Sequence, residues 1–99
     1  MKKILVLGAG RSATTLIDYL ISNSEENNWF VTVGDFSVEL AEESVRNSKK
    51  AKAIFFNVTD ENQRREEIRN SDIVVSMLPA RMHFLVAEDC VNLKKNLVT

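Results

Sequence analysis

The stretch Gly8-Ala9-Gly10-Arg11-Ser12-Ala13 has residue types and spacing suited to holding a phosphate. Glycine at 8 permits a tight turn, and glycine at 10 lets a ligand approach the backbone. Alanine at 13 is small enough for a helix to lie close against a strand. The backbone N–H groups of Arg11, Ser12 and Ala13 would then stand free at a helix N-terminus, where the dipole favours an anion. A strand–helix turn with no ligand could use the same glycines. What separates the two readings is an acid downstream. Asp35 follows Ala13 at close to the usual offset of about 20 residues for a carboxylate that accepts ribose hydroxyls. Asp35 could also be a simple turn or capping acid in Gly34-Asp35-Phe36-Ser37. Together, loop and acid favour a bound dinucleotide.

Asp35 bears on which dinucleotide. A carboxylate about 4 Å from a 2′-phosphate costs on the order of 4 kcal/mol per unit charge at an effective dielectric of about 20. No arginine follows at Phe36 or Ser37 to offset it, so NAD is expected, with NADP as the alternative. In favour of NADP, alanine is common at the third fingerprint position of NADP enzymes, and Arg11 could swing toward a 2′-phosphate. Asn57 and Val58 close a candidate third strand where an adenine would lie, although Asn57 could equally serve the turn before Thr59-Asp60. Phe36 could wall that pocket or be core. Leu78 and Pro79 end a candidate fourth strand near the nicotinamide side. His83 reads as an inert surface histidine and Cys90 as core. No Ser/His/Asp set, converging carboxylate pair or Cys/His pair is present, so no catalytic residue is assigned.

These groups need a scaffold of alternating strands and helices. Ile4 to Leu7 is a continuous apolar run suited to a strand buried on both faces. Ala13, Leu16, Ile17, Leu20 and Ile21 then form one helical stripe. Ser22 to Asn28 reads as a polar turn, Trp29 to Val33 as a second strand closed by Gly34-Asp35, and Ser37 as an N-cap. A third strand is expected at Ala53 to Asn57, linked by Lys49 to Lys52. A polar helix capped by Thr59 or Asp60 and anchored by Ile68 should follow. Ile73 to Met77 is the fourth strand, and Pro79 suits the first turn of a helix showing Met82, Leu85, Val86, Cys90 and Leu93. Asn96 to Thr99 begins a fifth. The whole predicts a Rossmann-type α/β doubly wound parallel sheet of order 3-2-1-4-5, with residues 1–99 as one dinucleotide-binding domain. The last strand has no natural stop, so the chain is expected to be a fragment of a longer enzyme, cut in its fifth strand and lacking a substrate domain.

Composition narrows the alternatives. Formal net charge is −1, from 13 basic and 14 acidic residues, which offers no polycationic face for nucleic acid or anionic membrane. One cysteine and one histidine make a structural zinc site improbable. The apolar run after Met1-Lys2-Lys3 is too short for a signal peptide and no segment has the length of a membrane span, so a cytoplasmic protein is expected. Exposed strand edges suggest a homo-oligomer.

Ser71 to Pro79, then His83, Val86-Ala87, Cys90 and Leu97-Val98-Thr99, resemble saccharopine dehydrogenases. Ile4 to Gly10 and Val31 to Asp35 are similar to the amino-terminal cofactor domain of that family. The resemblance implies oxidation of saccharopine with NAD(P)⁺ and water to L-glutamate and aminoadipate semialdehyde, a step of lysine metabolism. It also implies that the small-molecule amino-acid substrate and the proton-transfer groups belong to residues beyond Thr99. The rival expectation is a non-catalytic NAD(H)-sensing domain, as in potassium-transport gating modules.

Overall fold

Ile4-Leu5-Val6-Leu7 is apolar without a break because its strand is covered on both faces. Successive side chains alternate across a sheet. Ile4 and Val6 therefore join one buried cluster with Ala13, Ile17, Val33 and Ala41, while Leu5 and Leu7 join another with Ile68, Val74, Val86 and Cys90. The computed structural model describes every residue, Met1–Thr99. Its elements are β1 (Lys2–Leu7), α1 (Arg11–Ser22), α2 (Ser24–Asn27), β2 (Trp29–Asp35) and α3 (Val38–Val45). They continue with β3 (Ala51–Phe55), α4 (Glu61–Arg69), β4 (Ile73–Ser76), α5 (Ala80–Asn92) and β5 (Asn96–Val98). All strand pairs are parallel and the order is β3-β2-β1-β4-β5, as the alternation predicts. α1 and α3 pack on one face, α4 and α5 on the other.

Some boundaries differ from expectation. The third strand starts two residues early, because Val31 to Asp35 pair in register with Ala51 to Phe55. Ala51 and Lys52 thus belong to the strand rather than to the link. Phe56 makes the last bond to β2, its N–H donating to the Asp35 carbonyl at 2.9 Å, and it lies so close that a Cβ on Gly34 would be 2.9 Å from the Phe56 Cβ. Ser22 to Asn28 is not a plain turn. It holds the short helix α2, where buried Ser24 donates its hydroxyl proton to the Leu20 carbonyl at 2.7 Å. Pro79 takes the N-cap position, one residue before the first turn in which it was expected. Ser37 and Asp60 cap α3 and α4 by accepting the N–H groups of Leu40 and Gln63.

Polar α4 is tied down by more than Ile68. Arg64 is buried and donates Nε–H to the buried Asp89 carboxylate of α5, and Nη1–H to the Val58 carbonyl at 2.7 Å. Arg65 approaches the other Asp89 oxygen at 3.4 Å. Beside this pair, burial pushes the Cys90 thiol up, and the Asp89 charge adds to the shift. Cys90 stays protonated core. At the opposite edge, Lys3 and Asp72 prolong the β1–β4 ladder. The Lys3 carbonyl accepts the Asp72 N–H at 2.8 Å, and the Asp72 carboxylate accepts the Lys3 N–H at 2.8 Å. That backbone bond, helped by Lys2, Lys95 and Lys3, holds the Asp72 carboxyl below the usual carboxylate range.

Two outcomes follow. Arg64→Met should destabilise by about 3–5 kcal/mol in urea unfolding, because it strands a buried charge, and adding Asp89→Leu should recover most of the loss. Equal losses in single and double variants would contradict the pairing. Asp72 has a depressed folded pKa, so its contribution is present above the ordinary carboxylate range and is lost as pH falls through the lowered value. Wild type and Asp72→Ala should therefore differ in urea midpoint at neutral pH and converge in strong acid.

Candidate dinucleotide site

Where β1 leaves the sheet, the backbone is squeezed between its neighbours. Gly8 donates its N–H to the Gly34 carbonyl of β2 at 2.8 Å, and Met77 after β4 donates to the Leu7 carbonyl at 2.8 Å. Gly8 has φ +104°, and a Cβ there would lie 3.1 Å from the Met77 carbonyl oxygen. Glycine at 8 is thus required by the fold. Gly10 is different. Its φ is −69°, open to any residue, and a Cβ would meet nothing within 4 Å. The chain itself has no use for the space beside Gly10.

α1 begins at that point with no side-chain cap and no acidic residue in its first turn. The N–H groups of Gly10, Arg11 and Ser12 have no acceptor within the chain. Ala13 does not share this freedom. Its N–H donates to the Gly10 carbonyl at 2.9 Å, closing the first turn, so the free set is shifted one residue from expectation. A buried Ala13 side chain under the helix keeps α1 close to the sheet, in the role its size suggested. Three unpaired amides at the positive end of an uncapped helix form a cradle for an anion.

Asp35 ties this loop to the next. Oδ2 accepts the Ala9 N–H at 2.7 Å and Oδ1 accepts the Ser37 N–H at 2.7 Å. An ionised carboxylate has about four acceptor positions, so roughly two remain for a diol. Beyond Asp35 a cleft of about 360 Å³ opens, with Phe36 on the β2 side and Asn57, Val58 and Thr59 on the β3 side. Leu78 and Met82 close it from β4 and α5, and no cationic side chain lines it. Phe36 is 71% exposed and its ring lies 5.3 Å from that of Phe55, so it is a surface platform rather than core.

Asn57 takes the turn role. Its Oδ1 accepts both the N–H and the hydroxyl of Thr59, at 3.1 and 2.7 Å, while Nδ2 has no partner. The turn occupies one end of the amide and leaves the other unpaired.

The expected site residues fall into separate places. Asp35, Phe36, Asn57, Val58 and Leu78 share the cleft. Arg11 lines a smaller cavity of about 290 Å³ between α1 and α3, beside Thr14 and Arg46. Exposed Ser12 stands at the helix start, and Pro79 lines neither space. His83 is not a free surface group. It is half-buried, with Nδ1 2.9 Å from the Ser76 hydroxyl at the end of β4. A serine ending the strand and a histidine seven positions on were the only sequence signal for that pair.

Comparison with known proteins agrees with this geometry. The sequence model described as "Saccharopine dehydrogenase NADP binding domain" matches residues 4–99. The mitochondrial alpha-aminoadipic semialdehyde synthase of Rattus norvegicus is 34% identical over 99% of this chain and 10% of its own length. Saccharopine dehydrogenase [NADP(+), L-glutamate-forming] of Saccharomyces cerevisiae is 32% identical over 99% of this chain and 21% of its own. The solved apo saccharopine dehydrogenase (L-Glu forming) of that yeast superposes with a TM-score of 0.86 at 29% identity, covering 98% of this chain and 21% of the other. The chain thus spans between a tenth and a fifth of the length of these relatives. Loop, sheet order and a match over almost every residue concur: the chain belongs to the saccharopine dehydrogenase NADP-binding domain family.

Proposed function

We propose that this chain is the cofactor-holding domain of an oxidoreductase of the saccharopine dehydrogenase type. That enzyme would oxidise saccharopine with a nicotinamide dinucleotide and water, releasing L-glutamate and aminoadipate semialdehyde. When bound, the dinucleotide supplies hydride acceptance. The residues of this chain bind and orient it, and the groups that hold substrate and move protons belong to a substrate domain outside residues 1–99. The observation that carries the reading is the unfilled space at Gly10 beside three unpaired amides. The N–H groups of Gly10, Arg11 and Ser12 receive the pyrophosphate. Gly8 and Ala13 shape the loop, Asp35 takes the adenosine ribose, and Phe36, Asn57 and Val58 take the adenine. Leu78 closes the adenine cleft from the end of β4, and Pro79 after it borders the nicotinamide side.

The Asp35 carboxylate beside a cleft without cations favours NAD over NADP, even though the family takes its name from the phosphorylated cofactor. Two hydroxyls can share the free acceptor positions of a carboxylate, whereas a 2′-phosphate would meet it charge against charge. The nearest cation on the loop is Arg11, which faces the cavity on the other side of the loop.

The phosphate assignment is tested by calorimetric titration. Gly10→Val should abolish measurable NAD binding and cost about 1 kcal/mol or less of stability, as a change at an exposed N-cap. Gly8→Ala should cost about 1–3 kcal/mol of stability, since its backbone is held in a region that side chains disfavour. Unchanged NAD affinity in Gly10→Val would remove the phosphate loop from the site. For cofactor choice, wild type should bind NAD at least about tenfold more tightly than NADP, and Asp35→Asn should narrow the gap, with a charge-assisted bond worth about 1.5–3 kcal/mol lost to NAD. A tenfold preference of wild type for NADP would transfer specificity to Arg11.

A further inference from the structure

Taking the cleft as the adenine site, as proposed above, we infer that Gln63 and Arg64 of α4 are positioning residues that set the shape of that cleft from beneath. The segment Phe55 to Thr59 leaves the sheet at its edge strand, and its last bond to β2 runs from the Phe56 N–H to the Asp35 carbonyl at 2.9 Å. α4 supplies further partners for its backbone. Gln63 accepts the Asn57 N–H on Oε1 at 3.0 Å and donates from Nε2 to the Phe55 carbonyl at 2.6 Å. One amide therefore bridges the segment on both sides of Phe56, in the way a neighbouring strand would. The next residue, Arg64, donates Nη1–H to the Val58 carbonyl at 2.7 Å. Phe56 and Val58 are buried beneath the cleft while also lining it, so these bonds fix the surface a base would lie against.

Arg64 can hold Val58 only because its own direction is set. Its Nε–H is committed to Asp89, a carboxylate 1% exposed on the third turn of α5. A planar guanidinium joins two acceptors at a fixed angle, which an ammonium cannot do. The Val58 wall is thereby referenced to α5, the helix that also carries Met82 into the cleft. A single side chain thus ties the two helices of this face to the Val58 wall.

The helix-start amides of Gly10, Arg11 and Ser12 lie on the other side of Asp35 and share no bond with this clamp. Loss of the clamp should consequently separate base recognition from phosphate recognition, which a general loss of stability would not do. Arg64→Met with Asp89→Leu removes both buried charges together, so the fold is not left with an unpaired one. Gln63→Leu, at a half-buried position, removes the other two bonds with little threat to folding. Each variant would be titrated calorimetrically with 5′-AMP and with inorganic pyrophosphate. The expected result is about tenfold weaker AMP binding in both, the factor that corresponds to about 1.4 kcal/mol, with pyrophosphate affinity held within twofold of wild type. Equal weakening of both ligands, or no change for AMP, would overturn the positioning role. Wild type that binds pyrophosphate but not AMP would overturn it too, while leaving the phosphate loop standing; wild type that binds neither would sink the dinucleotide reading itself. Should the double variant fail to fold, Gln63→Leu decides the matter alone.

Discussion

The structure turns on the crowding at Gly8. β1 is the central strand, and where it ends β2 and β4 stand close on either side, with hydrogen bonds running to both. Only a residue without a side chain, in a left-handed conformation, can leave through that gap. The direction of exit then determines the rest. It points the start of α1 over the carboxyl edge of the sheet, brings the Ala9 N–H within reach of Asp35, and leaves the amides of the first turn facing outward. Because parallel strands share one carboxyl edge, the loops after β2, β3 and β4 arrive at the same rim.

Asp35 ties that arrangement together. Its two oxygens join the β1–α1 loop to the β2–α3 loop, so the start of α1 and the Asp35 carboxylate belong to one hydrogen-bonded unit. On the opposite face a second charged group works in the same manner. Arg64 joins α4, α5 and the segment after β3, and does so from inside the apolar cluster of Leu5, Ile68 and Val86. A buried ion pair is weak evidence for stability because desolvation offsets much of the attraction. Its directional bonds are the better explanation here, since they fix loops that the sheet does not reach.

Where burial decides, the sequence was readable. The strand order, the helix stripes and the Ser37 and Asp60 caps all follow from periodicity and turn chemistry, and the structure has them. The edges of elements were less so. The start of β3 depends on register with Val31 to Asp35, which nothing local in Ala51-Lys52 announces. Arg64 was hidden for a related reason. α4 looks polar throughout, and only the spacing of Arg64 four residues before Ile68, on the same helical face, marks it as inward. Asp89 held the matching clue: an acid between Val86 and Cys90 on an apolar stripe must find a partner. In the site, the glycine loop and Asp35 were legible as the ends of β1 and β2, because their spacing follows the strand–turn–helix repeat. The pairing of His83 with Ser76 and the bonded Ala13 amide were not, since each depends on the three-dimensional position of a neighbour.

How polar groups are satisfied separates structure from function in this chain. No buried side-chain nitrogen or oxygen lacks a partner. Even Ser24, Ser44 and Ser71, buried in helices or beside them, donate to carbonyls of the preceding turn. Against that economy, the unpaired amides of Gly10, Arg11 and Ser12 and the free Nδ2 of Asn57 stand out, and all belong to loops on the carboxyl rim of the sheet. Water can satisfy such groups in the free protein, so they cost little stability. Donors already fixed by the scaffold are preorganised, and a dinucleotide can exchange them from water with little further ordering. The same rim carries Asp35, its carboxylate held by two backbone bonds. On the function proposed above, donors for the pyrophosphate and a fixed carboxylate for the ribose would act at adjacent points along one ligand.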